Sequence, residues 1–334
     1  MNKPVNSPWF ISCLLLALGL TGTAHAQSLC VFDPEGDKGG AYNEALSYQK
    51  QASAWNVTLD VKPYTDETTA VEDFKTGQCD LVVITGLRAL EFNNFASTID
   101  ALGGVENYAE MQDVLNLVAA PAAQKYLVHG DYEVAGIFPL GAGYAFVNDR
   151  SINTLGKAAG KKIAVMDWDK VQARMVEQIG AQPVLSDITS YGPKFNNGVV
   201  DIVVAPLILY KPFELYKGMG SKGGVVHFPI LQLTAEVLMH RKSFPAGFGQ
   251  KCRDYIAHNL TEPFQKIQGL EQGIDPKAWI EVSDADRAEL VNTLRTARAK
   301  LTWEGYYDKR MLDLLKHERC KVNPTAAECA MSSE

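Results

Sequence analysis

The stretch from Gly156 to Pro206 limits the fold more than any other part of the 334-residue chain. It reads GKAAGKKIAVMDWDKVQARMVEQIGAQPVLSDITSYGPKFNNGVVDIVVAP. Ile163-Ala164-Val165-Met166 is an unbroken apolar run, the pattern of a strand covered on both faces. Val171, Met175 and Ile179 then recur at helical spacing over 170–179, and Gly180 is placed to stop that helix. Pro183-Val184-Leu185 predicts a second strand. A turn with Asp187, Thr189 and Ser190 leads into a short helix around Lys194, and 199–205 (VVDIVVA) predicts a third strand. Strands and helices alternating at this pace form a parallel sheet with right-handed crossovers. Ligands of such sheets bind beyond the carboxyl ends of the strands. Here those ends are Asp167-Trp168, 187–191, and Pro206 onward.

The chain before this stretch predicts another unit of the same kind. A strand over 28–33 is followed by a glycine-rich loop at 34–40, a helix over 41–55 and a strand over 56–62. A short helix over 65–74, with Thr65 at its start, precedes a strand over 81–84, and Thr85-Gly86-Leu87-Arg88 opens the next helix. A helix is expected over 108–119. Strands over 134–138 and 144–147 flank Pro139-Leu140-Gly141-Ala142-Gly143, a break expected to act as a hinge or crossover. Runs at 222–228 and 231–239 are expected to return to the first unit. The remainder is helical, and Leu290, Leu294, Ala297 and Leu301 share one face over 285–301. The expected fold is α/β with two lobes: 27–143 with 231–275, and 144–230. Helices over 276–334 pack across them. Two such lobes form a clamshell, and hinge closure around a ligand is the habit of periplasmic binding proteins.

The N-terminus reads as an export signal. Lys3 precedes an apolar run at 11–20 and an Ala24-His25-Ala26 cleavage site, so residues 1–26 are expected to be removed. The competing reading, a membrane anchor, needs about 20 apolar residues. The expected location is the periplasm. Formal net charge is −7 with no basic run, which argues against nucleic acid as a partner. Five cysteines follow the signal. Cys30 and Cys79 open strands expected to be neighbours, so they are expected to pair. Cys320 and Cys329 flank a short loop and are the next candidate pair, with a bridge from Cys252 to either as the competitor. No CxxC and no close histidine pair occurs, so neither a metal nor a cofactor is expected.

The run G-K-K-I-x-V, the helix ending in G-A-Q-P-V, and F-N-N-G-V-V-D resemble the second lobe of TRAP-type, dicarboxylate-binding periplasmic proteins. The resemblance is specific over 156–201 and loose elsewhere. It is closer still to a divergent solute-binding group, some of whose members carry an efflux or drug-resistance label. It implies a type II clamshell that captures a small molecule for a membrane permease. Three departures stand out. The family's carboxylate-binding arginine falls at Ala164, its glutamate near Ser190 and its asparagine near Ala205. A methyl group cannot make the bidentate guanidinium–carboxylate pair.

The expected ligand-binding residues are therefore others. Asp33 and Glu35 follow the first strand, and Thr85 with Arg88 opens a helix where an anion is favoured. Tyr144 follows the hinge, while Asp167, Trp168, Tyr191, Pro206 and Tyr210 follow strands of the second lobe. Each has a plainer reading, as a turn, a helix cap, a solvated arginine or core. No G-x-S-x-G elbow occurs, and Gly156-Lys157-Ala158-Ala159-Gly160-Lys161 is one residue short of a phosphate loop. The chain is thus expected not to be an enzyme. The alternative is an envelope accessory protein that uses the same scaffold to bind efflux components.

Overall fold

The computed structural model describes residues 1 and 26–331; the expected export signal lies almost wholly outside the described residues. The strands are β1 (Gln27–Phe32), β2 (Leu59–Tyr64), β3 (Leu81–Thr85), β4 (Val128–His129), β5 (Tyr132–Val147) and β6 (Lys162–Met166). They continue with β7 (Gln182–Ser186), β8 (Ile202–Pro206), β9 (Gly224–Val226), β10 (Leu231–His240) and β11 (Trp279–Ile280). The helices are α1 (Gly40–Ala54), α2 (Glu67–Lys75), α3 (Gly86–Ala89), α4 (Asn94–Ser97), α5 (Tyr108–Ala119), α6 (Gln124–Leu127) and α7 (Leu155–Ala158). Then follow α8 (Lys170–Gln178), α9 (Ile188–Asn196), α10 (Leu215–Met219), α11 (Phe248–His258), α12 (Thr261–Gln272), α13 (Asp284–Trp303) and α14 (Lys309–Val322).

One sheet runs through both halves in the order β2-β1-β3-β10-β5-β8-β6-β7. β1 pairs in parallel with β2 and β3, and β6 with β7 and β8. Between these parallel ends, β10 and β5 run antiparallel to each other and to their outer neighbours. The expected break at 139–143 is instead a bulge inside one 16-residue strand. Gly141 pairs with Leu233 and Pro139 with Thr234, so Leu140 has no partner. Gly141 takes φ of 103°, a conformation that disfavours any residue with a Cβ. The ladder of β10 holds the strand together across the bend that sequence periodicity shows as an interruption.

Two smaller expectations are also corrected. The short strand β9 does not return to the first lobe: it pairs with the end of β5 and with β11. Thr65 does not cap α2. Asp66 does, its carboxylate accepting the N–H groups of Thr68 and Thr69.

The first lobe has one large core, in which Leu81, Phe74 and Ile84 of the β1–β3 unit meet Leu294, Leu301, Leu312 and Leu315 of the C-terminal helices. The second lobe has a core on each face of its sheet. Phe146, Phe195 and Val203 lie on one side, and Val147, Ile163 and Ile202 on the other. Two disulfides close the expected pairs, Cys30–Cys79 and Cys320–Cys329. Cys252 is free and buried, it accepts a hydrogen bond from the Tyr48 hydroxyl, and burial pushes its thiol up to about 12. A thiol held protonated in this way is a poor nucleophile.

Candidate functional site

The parallel strands of the two lobes end facing one another. Between the ends of β1, β3 and β8 lies a cleft of about 570 Å³. Asp33, Glu35 and Thr85 line it from the first lobe, Pro206 and Tyr210 from the second. Five of the ten residues expected from sequence therefore share one space. The walls between them are mostly apolar, with Phe32, Ile84, Leu140, Ile188 and Leu207 among them. Lys211 and Lys266 line it too. Lys266 was not legible in the sequence because it lies on α12, remote from any strand end.

The polar groups of the cleft are not equally free. Asp33 is buried, and its two oxygens accept from the backbone N–H groups of Glu35, Ala41 and Tyr42 at 2.8–3.2 Å. It closes the start of α1 and leaves little acceptor capacity for a ligand. A Cβ at Gly39 would lie 1.9 Å from that carboxylate, so only glycine lets the chain pass there. Glu35 is exposed and Tyr210 half-buried. The Tyr210 ring stacks on the buried Phe146 with centroids 5.9 Å apart. The Thr85 hydroxyl accepts from Arg88 N–H, and the Thr85 N–H donates to Glu67 Oε1 at 2.6 Å.

Arg88 and Trp168 do not line this space, but they meet each other across the lobes. The guanidinium carbon lies 5.0 Å from the indole centroid. Arg88 Nε is buried with no hydrogen-bond partner, and its nearest carboxylate is Glu91 at 3.7 Å. Beside that ion pair the cation–π contact is worth ~0.5–2 kcal/mol depending on desolvation. Asp167 is exposed. The cap expected in this turn falls two residues later, on Asp169, whose Oδ1 accepts from Val171 and Gln172 at 2.9 and 3.0 Å. Asp169 Oδ2 is buried without a partner, and burial raises its carboxyl to about 6. The Asp-x-x-Gln spacing ahead of an amphipathic helix was the sequence signal for it.

Tyr144 and Tyr191 are placed differently from the expectation that they line the cleft. Tyr191 is buried, its hydroxyl donating to Val204 O at 2.9 Å and accepting from Val204 N at 3.2 Å. It bolts α9 to β8. The Tyr144 hydroxyl donates to Glu271 of α12 at 2.7 Å, and the Tyr108 hydroxyl donates to the same carboxylate oxygen. That network joins α5, β5 and α12 beside the bulge. Ala164 and Ala205 are buried in the same apolar cluster as both tyrosines. Ala164 and Ala205, the positions expected to match the arginine and asparagine of the TRAP-type proteins, are thus buried among apolar side chains.

Behind the cleft floor lies a set of buried acids. Asp100 Oδ1 and Oδ2 accept from the Thr234 hydroxyl and N–H at 2.7 and 3.1 Å. Glu236 Oε1 accepts from Ser97 Oγ at 2.9 Å, and its other oxygen has no partner. Burial raises Glu67 to about 7 and Asp100 to about 8, and pushes Glu236 well above the carboxylate range. In the unfolded chain such groups titrate near pH ~4. The folded state therefore holds protons that the unfolded state releases. Their stabilisation is complete below about pH 4 and is lost as pH rises through about 7 to 8. Asp100→Asn, which keeps the shape of the protonated acid, should flatten the decline in urea midpoint between pH 6 and 9. An unchanged slope counts against a neutral Asp100. Among the described residues no three His, Cys, Asp or Glu side chains are grouped to hold a metal ion.

Residues 54–334 match the family model of the solute-binding proteins AdeT 1/2. The chain belongs to that family. The AdeT 1/2 assignment is supported by a relative, the probable solute-binding protein AdeT1 of Acinetobacter baumannii, 44% identical over 91% of this chain and 100% of the relative. Among solved structures, the fold is similar to a TRAP periplasmic solute-binding protein of Desulfovibrio salexigens with bound orotic acid. That match has a TM-score of 0.72 at 17% identity, covering 89% of this chain and 99% of the other. A Haemophilus influenzae counterpart with bound L-gulonate gives 0.73 at 12% identity, covering 88% and 99%. This AdeT 1/2 member is thus a solute-binding protein on a TRAP-like scaffold.

Proposed function

We propose that this solute-binding protein works in the periplasm, closing 27–143 and 231–275 against 144–230 around a small molecule and presenting it to a TRAP-like membrane permease. The observation that carries the reading is the cleft of about 570 Å³ between the strand ends, an ordinary volume for a small-molecule site. Its chemistry favours a largely apolar solute over a dicarboxylate, because most of its walls are apolar and they carry no arginine. Tyr210 would supply an aromatic face, with Glu35, Thr85, Lys211 and Lys266 at the edges. Bound small molecules in the structural neighbours support the capture role, and the family supports a transporter partner.

Isothermal titration against a metabolite panel tests this. Uncharged, mostly apolar compounds should bind, and succinate should not. Tyr210→Ala should weaken the best ligand at least tenfold, about 1.4 kcal/mol. Micromolar binding of succinate would overturn the ligand class, and no binding across the panel would overturn capture itself.

A second expectation concerns closure. Trp168→Ala removes the ring that Arg88 faces across the lobes. X-ray scattering should show a larger radius of gyration for the variant than for the parent, and affinity for the cleft ligand should fall about three- to tenfold. Identical scattering curves would mean that the contact does not hold the lobes.

A further inference from the structure

Where the second lobe meets the first lies another pocket, of about 180 Å³, lined by β5, β6 and β8 of the second lobe and by Leu87, Leu102, Leu231 and Leu233 of the first. It shares no lining residue with the cleft between the strand ends. Its floor is Ile163, Val165 and Ile202 of β6 and β8. Met175 and Val176 of α8 and Leu294 of α13 lie over it, and Leu87 of the first lobe closes one end.

Two features decide what such a space holds. No charged side chain lines it. Of its four polar lining residues, three already have partners: Gln172 Oε1 accepts from Met166 N, Tyr191 is held by Val204, and Thr154 Oγ1 accepts from Lys157 N. The fourth, Asn153, is exposed. Water inside the pocket finds few free polar partners on its walls. An apolar cavity of roughly 150 Å³ lined by Leu, Ile and Phe is known to take benzene or xenon. Apolar surface left facing water in such a pocket is costly, and an apolar guest removes that cost.

We infer that this cavity is a second binding site, for one small uncharged hydrocarbon-like molecule of aromatic-ring size. Such a ligand gains from apolar burial alone and contacts both lobes, through Leu87 on one side and β6 and β8 on the other.

Xenon-pressurised crystals of the full chain and thermal melts with benzene test the site. Xenon density between Val165, Val176 and Leu294 is the expected result. Benzene at saturation should raise the melting temperature by ~1 °C or more. Ala145→Leu and, separately, Ala158→Leu fill the cavity from β5 and α7 and should abolish that rise. Xenon density absent from this position overturns the proposal, as does a benzene effect undiminished in both filled variants. Should one variant fail to fold, the other and the parent's xenon density still decide. Neither readout uses the cleft ligand, so failure here leaves the cleft reading standing, and failure there leaves this one.

Discussion

Arg253→Met should cost the folded protein about 3–5 kcal/mol, the usual price of stranding one member of a buried ion pair. Arg253 and Glu133 are 2% and 6% exposed, with Nη1 and Oε1 2.7 Å apart. Arg253 also donates to Val134 O at 2.8 Å and to Gln250 at 3.0 Å, so the guanidinium stitches α11 onto β5. Among the described residues Glu133 keeps only the Arg241 ion pair, 3.7 Å away and exposed, when Arg253 is lost. Methionine replaces the aliphatic stem, which separates the charge effect from a packing effect. The urea midpoint reports the loss. The double variant Arg253→Met with Glu133→Leu should recover most of it, because removing both charges also removes the desolvation penalty. A single variant within 1 kcal/mol of the parent would show that the pair is not needed to hold α11 in place.

Removing the Cys30–Cys79 bridge should be nearly as damaging. The bridge spans 49 residues and joins neighbouring strands β1 and β3. Loop-closure entropy puts its worth at about 4 kcal/mol. The Cys320–Cys329 bridge spans 9 residues, for which the same relation gives about 3 kcal/mol. The paired alanine variants, compared by urea unfolding, should therefore rank in that order. The reverse order would show that the shorter loop does more than restrict the unfolded chain. A structural reason for such an outcome exists. Glu328 lies beside Cys329 and accepts from Arg319 Nε at 2.9 Å, while Arg298 of α13 reaches the same carboxylate and the carbonyls of Leu102 and Gly103. The short bridge thus also fixes the carboxylate that gathers the C-terminal helices onto the first lobe.

Much of this architecture is legible in the amino-acid sequence. The strand over 163–166 became β6 over Lys162–Met166, and the helix over 170–179 became α8 over Lys170–Gln178. Both are local patterns, an apolar run and a 3.6-residue repeat, that report directly on backbone state. The pairing of Cys30 with Cys79 followed from strand adjacency in a doubly wound sheet. The misreadings share a cause. The 139–143 segment carries turn residues, yet its partner β10 supplies the hydrogen bonds that keep it a strand. Pairing across a sheet is a non-local fact. Likewise, five of the ten candidate residues line the cleft while Tyr144 and Tyr191 turn into packed surroundings. Strand-end position is readable along the chain, but the direction of a side chain depends on what packs against it.

The sequence by itself determined the two α/β lobes, their C-terminal helices, the Cys30–Cys79 pair and the absence of an arginine at position 164. Each depends on residue identity and short-range spacing. The tertiary structure alone decided that Ala164 is buried among apolar side chains, that Arg88 faces Trp168, and that a second, apolar space lies under α8 and α13. These depend on how distant surfaces fit, because packing leaves gaps and contacts that no periodicity along the chain records.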